Sequence, residues 1–160
     1  MKKIIAIILT LALTLSMTAC GGTAKSDDGS LKIAIVQQLD HSSLDEIRTA
    51  IEAQLKALAA EKNITISITY DNGQNDTSML GQISSQVVSE NPDLIVPIAT
   101  LAAQYAVTAA EGTDIPIVYA AISDPESAGL TGIPTVTGVS DALNTPFILD
   151  MMLNVDPTIK

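Results

Sequence analysis

The sequence predicts an α/β fold with a doubly wound parallel sheet, and three observations support this. Short apolar segments alternate with helical stretches in the order β-α-β-α-β-α-β-(α)-β-α, about thirty residues from strand to strand. Several of the strands are continuous apolar runs, which is typical of strands buried on both faces. The chain has 160 residues, enough for one domain, and 47% of them are hydrophobic, so it can form a core.

The first strand and helix follow from an apolar run and a capping pattern. Residues 31–36 (LKIAIV) form the predicted first strand. Ser43 is predicted to cap the following helix, with Glu46 three residues later as the partner in a capping box. Apolar residues then recur at steps of three and four, which gives the helix one apolar stripe before it ends at 62–63.

The second strand and helix have a different signature. Residues 64–70 alternate between apolar and polar types, which places this strand nearer a sheet edge than the first. Asp76 or Thr77 is predicted to cap the second helix, and Pro92 stops it. The polar turn between them, residues 71–76, is rich in Asp and Asn.

The stretch 91–104 (NPDLIVPIATLAAQ) joins the third strand directly to an alanine-rich helix. The apolar run 94–98 is the strand, and the helix is predicted over 101–111. Thr100 stands between them, and its hydroxyl is predicted to cap the helix. Backbone N–H groups at such a terminus have no partner within the helix and attract anions, including carboxylates.

The last elements are shorter. Residues 115–121 form the predicted fourth strand, and Asp124 is predicted to cap a short turn that follows it. Residues 135–139 form the fifth strand, and residues 147–153 form the last helix.

Five polar turns follow the five strands. Right-handed crossovers place the carboxyl ends of all parallel strands at one edge of the sheet, and open sheets of this class bind ligands there. The turns therefore predict a small-molecule site. They are residues 37–42, 72–76, 99–100, 123–124 and 140–141.

Thr100 is the central candidate in this site. We expect its hydroxyl and the N–H groups of Leu101 and Ala102 to bind a carboxylate. A helix cap alone would explain the same threonine, and the two roles are compatible. Asp124 either faces an amino group of the ligand or caps the turn before Pro125.

The other candidates are polar residues of the same turns. His41 either lines the cleft or is an exposed residue ahead of the helix, and a lone histidine without clustered partners does not make a metal site. Tyr119 is predicted to lie in the core. The remaining candidates for ligand contact are Gln38, Ser42, Gln74, Ser123 and Asp141, and Asn75 shares the turn of Gln74.

The composition and the absence of several motifs argue against two classes of function, nucleic-acid binding and catalysis. A formal net charge of −10 gives no electrostatic basis for binding nucleic acid. The sequence has no G-x-G-x-x-G after the first strand, no P-loop, no serine elbow and no Cys/His pair, so an enzyme on this fold is disfavoured. No metal and no cofactor are expected.

The amino terminus is predicted to be a bacterial secretion signal. Residues 1–19 combine two lysines with an apolar segment too short to span a bilayer with confidence. Cys20, the single cysteine, follows small residues in a pattern that resembles a lipoprotein signal, and a plain signal peptide with a stray thiol is the alternative. Residues 20–30 read as a flexible tether. This pattern predicts that the protein lies outside the cytoplasm and is held to the membrane by acyl chains such as palmitate.

Four segments carry a family resemblance, namely residues 32–55, 91–104, 115–130 and 136–141. They resemble ABC-transporter substrate-binding lipoproteins of the tryptophan/tyrosine type. The resemblance implies a type I periplasmic-binding fold, in which two lobes close over a ligand that is an amino acid, aromatic or related, and in which permease subunits are partners.

The resemblance also implies boundaries. Residues 31–138 would be the amino-terminal lobe, and residues 139–160 the hinge and the start of a second lobe. Since members of this family are about twice as long, the chain is expected to lack most of that lobe. The helix at 147–153 is then expected to pack poorly. The alternatives are an extracellular sensor lipoprotein on the same fold or, less favoured, a doubly wound α/β enzyme.

Overall fold

The computed structural model describes residues 29–156. The predicted signal sequence, Cys20, the tether as far as residue 28 and residues 157–160 lie outside this part. In chain order the elements are β1 (Ser30–Gln37), α1 (Ser42–Lys62), β2 (Thr65–Asn72), α2 (Thr77–Ser89), β3 (Leu94–Ile98), α3 (Thr100–Ala109), β4 (Ile117–Ile122), β5 (Val136–Ser140) and α4 (Thr145–Val155).

The five strands form one sheet in the order β2-β1-β3-β4-β5, and every neighbouring pair is parallel. This confirms the predicted fold class. Gln37, the last residue of β1, is level with Asn72 at the end of β2 and with Ile98 at the end of β3. The carboxyl ends of these strands therefore lie side by side at one edge of the sheet. We call it the carboxyl edge.

The core has two halves because helices cover both faces of the sheet. On one face, α2 and α3 pack against even-numbered residues of β1, such as Ala34 and Val36. On the other face, α1 packs against Ile33 and Ile35, with its partly buried apolar stripe turned to the sheet. Burial on both faces explains why β1 and β3 are continuous apolar runs.

The predictions for the second strand and for the last helix are both confirmed. The alternating strand β2 lies at the edge of the sheet, as predicted, and has no fully buried residue. Helix α4 has no buried residue either, although it is largely apolar; Phe147 is 63% exposed and Leu149 is 52% exposed. The expectation that this helix packs poorly is confirmed for the described residues.

Some element boundaries differ from the prediction. Helix α1 begins at Ser42, and His41 rather than Ser43 is its N-cap, because the His41 Nδ1 atom accepts a hydrogen bond from the Ser43 N–H at 3.3 Å. Ser30, predicted in the tether, begins β1. Asp76 caps α2, as predicted, by accepting from the Met79 N–H at 2.8 Å.

Candidate functional site

The carboxyl edge carries the polar turns that follow the strands, and hydrogen bonds join them into two groups. The first group is formed by the turns after β1, β2 and β3. The second is formed by the turns after β4 and β5. The strand ends of β3 and β4 connect the groups, because the Ala99 N–H donates to the Ala120 carbonyl at 3.0 Å.

Gln38 holds the first group together. Its side-chain Oε1 accepts a hydrogen bond from the Leu101 N–H at 3.0 Å, and its Nε2 donates to Asn75 Oδ1 at 3.1 Å. Its backbone N–H donates to the Ile98 carbonyl at 3.2 Å, and its carbonyl accepts from the Asn75 N–H at 2.8 Å. One partly buried residue therefore sets the spacing of three turns.

The junction between β3 and α3 differs from the prediction for Thr100. The N-cap of α3 is Ala99, which makes no side-chain hydrogen bond, and Thr100 is the first residue of the helix. The predicted cap role of Thr100 is therefore wrong. Gln38 supplies the missing acceptor from another turn, since its Oε1 satisfies the Leu101 N–H, which would otherwise have no partner at the helix start.

The three residues at the start of α3 present different groups at the edge. Thr100 and Leu101 are partly buried, while the side chain of Ala102 is fully buried in the core between α3 and the sheet. Ala102 can contribute only its backbone to a ligand. The start of α3 thus combines a threonine hydroxyl with backbone N–H groups at the positive end of a ten-residue helix.

Serines and carboxylates form the second group. The Ser123 hydroxyl donates to Asp141 Oδ1 at 2.8 Å, the Asp141 N–H donates to the Ile122 carbonyl at 3.2 Å, and the Ser140 hydroxyl donates to the Ser123 carbonyl at 3.3 Å. Ser123 and Asp141, both predicted as site residues, are thus brought together. Both are exposed, so the Asp141 carboxylate remains accessible.

Asp124 performs the capping role predicted for it. Its carboxylate accepts from the Ser127 N–H at 3.0 Å and from the Ser127 hydroxyl at 2.6 Å. The hydroxyl bond, followed by the backbone bond, holds the pKa of the Asp124 carboxyl below its ordinary value. Asp124 is therefore an exposed anion next to Ser123.

The remaining predicted residues lie at the ends of the loops. His41 is exposed and caps α1, and Ser42 is the exposed first residue of that helix. Gln74 is exposed with φ of 49°, and Asn75, with φ of 59°, is held by Gln38. No further hydrogen bond joins His41, Ser42 or the Gln74 side chain to the other turns among the bonds of residues 29–156.

Three residues that sequence reasoning missed shape this edge. Ala99 (φ 76°, ψ 163°) and Ala121 (φ 58°) have positive φ at the ends of β3 and β4. Such a backbone is strained for a residue other than glycine, and strain of this kind concentrates at functional sites. The third is Gln37, which is fully buried at the end of β1. Of these three residues, only Gln37 could have been noticed in the sequence, because it is a polar residue directly after an apolar run.

Two cavities lie away from the carboxyl edge. Cavities of about 560 and 370 Å³ lie toward the opposite, amino-terminal edge of the sheet, beside Thr135 and Lys32 respectively. Within residues 29–156, no three His, Cys, Asp or Glu side chains are grouped so that they could hold a metal ion. In the same part of the chain, none of the helices has the length and apolar character needed to cross a membrane.

Residues 32–160 match the family described as ABC transporter substrate binding protein. The chain belongs to this family. Among curated proteins, a tyrosine-binding protein of Clostridioides difficile is 34% identical over an alignment of 175 positions, which covers 99% of this chain and 50% of the relative. An uncharacterized protein of Rickettsia prowazekii is 32% identical over 114 residues, or 70% of this chain and 33% of the relative.

Solved structures of the family have the same architecture. A Streptococcus pneumoniae ABC domain in complex with L-Trp is 33% identical with a TM-score of 0.70, over 82% of this chain and 45% of its own length. A ligand-free, open substrate-binding protein with adhesive properties from Clostridium difficile is 32% identical with a TM-score of 0.71, over 81% of this chain and 45% of its own. The chain therefore spans about half the length of its relatives and has a periplasmic-binding fold.

Proposed function

We propose that the protein is the solute-binding component of an ABC importer and that it captures an amino acid, aromatic or related, at the carboxyl edge. The observation that carries the proposal is the solved family member with bound L-Trp, which is 33% identical to this chain. The relative named as a tyrosine-binding protein supports the same ligand class. Both ligands are aromatic amino acids, so a site for their shared carboxylate and ammonium groups is needed.

The start of α3 suits the carboxylate. The helix dipole favours an anion there, and the Thr100 hydroxyl can donate to it together with the backbone N–H groups of Thr100 and Ala102. The Leu101 N–H, expected from the sequence to bind the carboxylate as well, already donates to Gln38 Oε1. Gln38 neighbours this position through its bond to the Leu101 N–H. We assign the carboxylate of the ligand to this end of the edge.

The second group of turns suits the ammonium. Asp141 and Asp124 are exposed carboxylates that flank Ser123, and one of them can pair with a positive charge. The hydrogen bond from the Ser127 hydroxyl holds the pKa of Asp124 below its ordinary value, which favours the ionised carboxylate. An amino acid lying along the edge would then have each of its charged groups beside the opposite charge.

The predicted amino-terminal features complete the proposal. Residues 1–19 would direct secretion, Cys20 would carry the lipid anchor, and residues up to 30 would connect it to the amino-terminal lobe of residues 31–138. Residues 139–160 would lead into a second lobe that faces the carboxyl edge. The protein would then work outside the cytoplasm, at the membrane, with permease subunits as partners. Loss of palmitate labelling in Cys20→Ser would support the anchor, and retained labelling would contradict it.

Calorimetric titration of a full-length version with L-tyrosine, L-tryptophan, L-phenylalanine and branched amino acids tests the ligand class. At least one aromatic amino acid should bind. Thr100→Val should then weaken it about ten- to a hundred-fold, because one hydrogen bond to a charged group is lost. Thr108→Val is the matched control, since Thr108 is an exposed residue near the other end of α3 whose hydroxyl bonds only to the Gln104 carbonyl.

Two results would contradict the proposal. Binding of none of these amino acids more tightly than about 100 µM, or about −5.5 kcal/mol, would exclude the amino-acid ligand. Equal affinities for wild type, Thr100→Val and Thr108→Val would exclude Thr100 from the carboxylate site.

A further inference from the structure

Two polar side chains are almost fully buried in the described part of the chain and each has an oxygen with no hydrogen-bond partner. They are Gln37, which is 0% exposed, and Ser84, which is 1% exposed. A buried acceptor or hydroxyl without a partner destabilises the fold. Ser84 lies in the middle of α2, whereas Gln37 is the last residue of β1 and borders the carboxyl edge.

The other end of the Gln37 amide makes two short bonds. Its Nε2 donates to the Leu39 carbonyl at 2.8 Å and to Asp45 Oδ1 at 2.9 Å. Asp45 lies in the first turn of α1, so this amide connects the end of β1 to the start of the next helix. Because both acceptors take the Nε2 group, the Oε1 atom points elsewhere and is the buried atom without a partner.

These two bonds help to hold the loop of residues 38–41, which is also bonded from Asn72 Nδ2 to Asp40 Oδ1 and from the Gln38 N–H to the Ile98 carbonyl. The loop is anchored at the Leu39 carbonyl and at the first turn of α1. Gln38 directly precedes the first anchor, and His41 lies between the two. Gln38 then reaches Asn75 and the Leu101 N–H. The Gln37 side chain, which does not itself reach the surface, therefore supports the position from which Gln38 joins three turns at the carboxyl edge.

We infer that Gln37 is a positioning residue for ligand binding, one that holds the loop of residues 38–41 so that Gln38 and the start of α3 face the ligand together. The inference rests on the proposed function. Packing alone does not explain the residue, because methionine has a similar length, would fill the same space and would leave no buried oxygen without a partner. What methionine cannot do is donate to Leu39 and Asp45.

Gln37→Met in the 160-residue chain separates positioning from stability. The melting temperature should stay within about 3 °C of wild type, because two lost hydrogen bonds are offset by removal of the buried Oε1. The affinity for L-tyrosine or L-tryptophan should fall about ten-fold, because the site is no longer preorganised. Amide hydrogen exchange of residues 38–41 should become faster.

Ser84→Ala is the matched control, since it removes the other buried oxygen without touching the edge. Its melting temperature should equal or exceed that of wild type, with unchanged affinity and unchanged exchange in the loop. Asp45→Ala removes one acceptor from the surface of α1. If Gln37 acts through Asp45, adding Gln37→Met to Asp45→Ala should lower affinity less than Gln37→Met alone.

The outcomes distinguish this inference from the proposed function. Wild-type affinity and wild-type loop exchange in Gln37→Met would overturn the inference, even with a bound ligand. If wild type binds neither L-tyrosine nor L-tryptophan, as the 160-residue chain and as a full-length version, the proposed ligand fails, and the exchange measurement decides alone. Faster loop exchange in Gln37→Met but not in Ser84→Ala then supports positioning, and unchanged exchange in both overturns it.

Discussion

At the scale of single residues, the carboxyl edge is shaped by backbone strain at two alanines. Ala99 has φ of 76° and ψ of 163°, a region occupied almost only by glycine. Ala121 has φ of 58° within the irregularity of the β4–β5 pairing. The bond from the Ala99 N–H to the Ala120 carbonyl keeps these strained positions beside each other. The sheet and α3 on either side hold Ala99 in this conformation.

Replacing Ala99 by glycine should therefore not destabilise the protein. Strain of about 1–3 kcal/mol would be relieved, against about 0.4–1 kcal/mol of added freedom in the unfolded chain. Ala57→Gly is the control, since Ala57 is an exposed residue inside α1 and its replacement should cost about 1 kcal/mol. Urea unfolding measures both. An equal loss of stability in the two variants would show that Ala99 is not strained.

At the scale of elements, the helices obtain their N-terminal hydrogen bonds in two ways. Helices α1, α2 and α4 are capped by the side chain that directly precedes them, from His41, Asp76 and Asn144. Helix α3 has an alanine at that position and is capped from another turn by Gln38. The first three helices can therefore be capped locally, whereas the start of α3 depends on the position of β1.

Alanine substitutions at Asp76 and Thr100 should separate these two cases. Asp76→Ala should lower the free energy of unfolding by about 1 kcal/mol, because it removes the acceptor for the Met79 N–H. Thr100→Ala should change it by no more than about 0.5 kcal/mol, because Thr100 is not the cap. Thermal or urea unfolding gives both values. A loss at Thr100 as large as at Asp76 would restore the capping role that the sequence predicted.

At the scale of the whole molecule, stability comes from the sheet and the three helices that cover its faces. Leu80 is fully buried between α2 and the sheet. Leu149 is 52% exposed on α4, which follows β5 and has no buried residue. Two leucines therefore contribute very differently to stability: Leu80, which precedes β5 in the chain, is part of the core, whereas Leu149, which follows β5, is not.

Leucine-to-alanine substitutions should show this difference directly. Leu80→Ala should lower the free energy of unfolding by about 2–5 kcal/mol, since it leaves a cavity in the core. Leu149→Ala should change it by no more than about 0.5 kcal/mol. Denaturant unfolding of the 160-residue chain is the measurement. A large loss for Leu149→Ala would mean that α4 is packed in solution.

The sequence by itself determined the class of fold and the edge at which the turns meet. Apolar runs, the alternation in residues 64–70 and the capping pattern before α2 are local signals, because they depend on residues close together in the chain. The family resemblance, confirmed by the match over residues 32–160, gave the expectation of a second lobe and of an amino-acid ligand, which local signals do not encode. The site residues named from the turns stay predictions, apart from the wrong cap at Thr100.

Only the tertiary structure decided how the turns are joined. The bond from the Leu101 N–H to Gln38 spans 63 residues, and the bond from Gln38 to Asn75 spans 37. The positive φ of Ala99 and Ala121 likewise has no local signal, because alanine ordinarily avoids that region and only the surrounding sheet holds it there. Contacts between residues distant in sequence form only once the strands are ordered side by side. The helices and strands could therefore be predicted from the sequence, whereas the hydrogen bonds of the carboxyl edge could not.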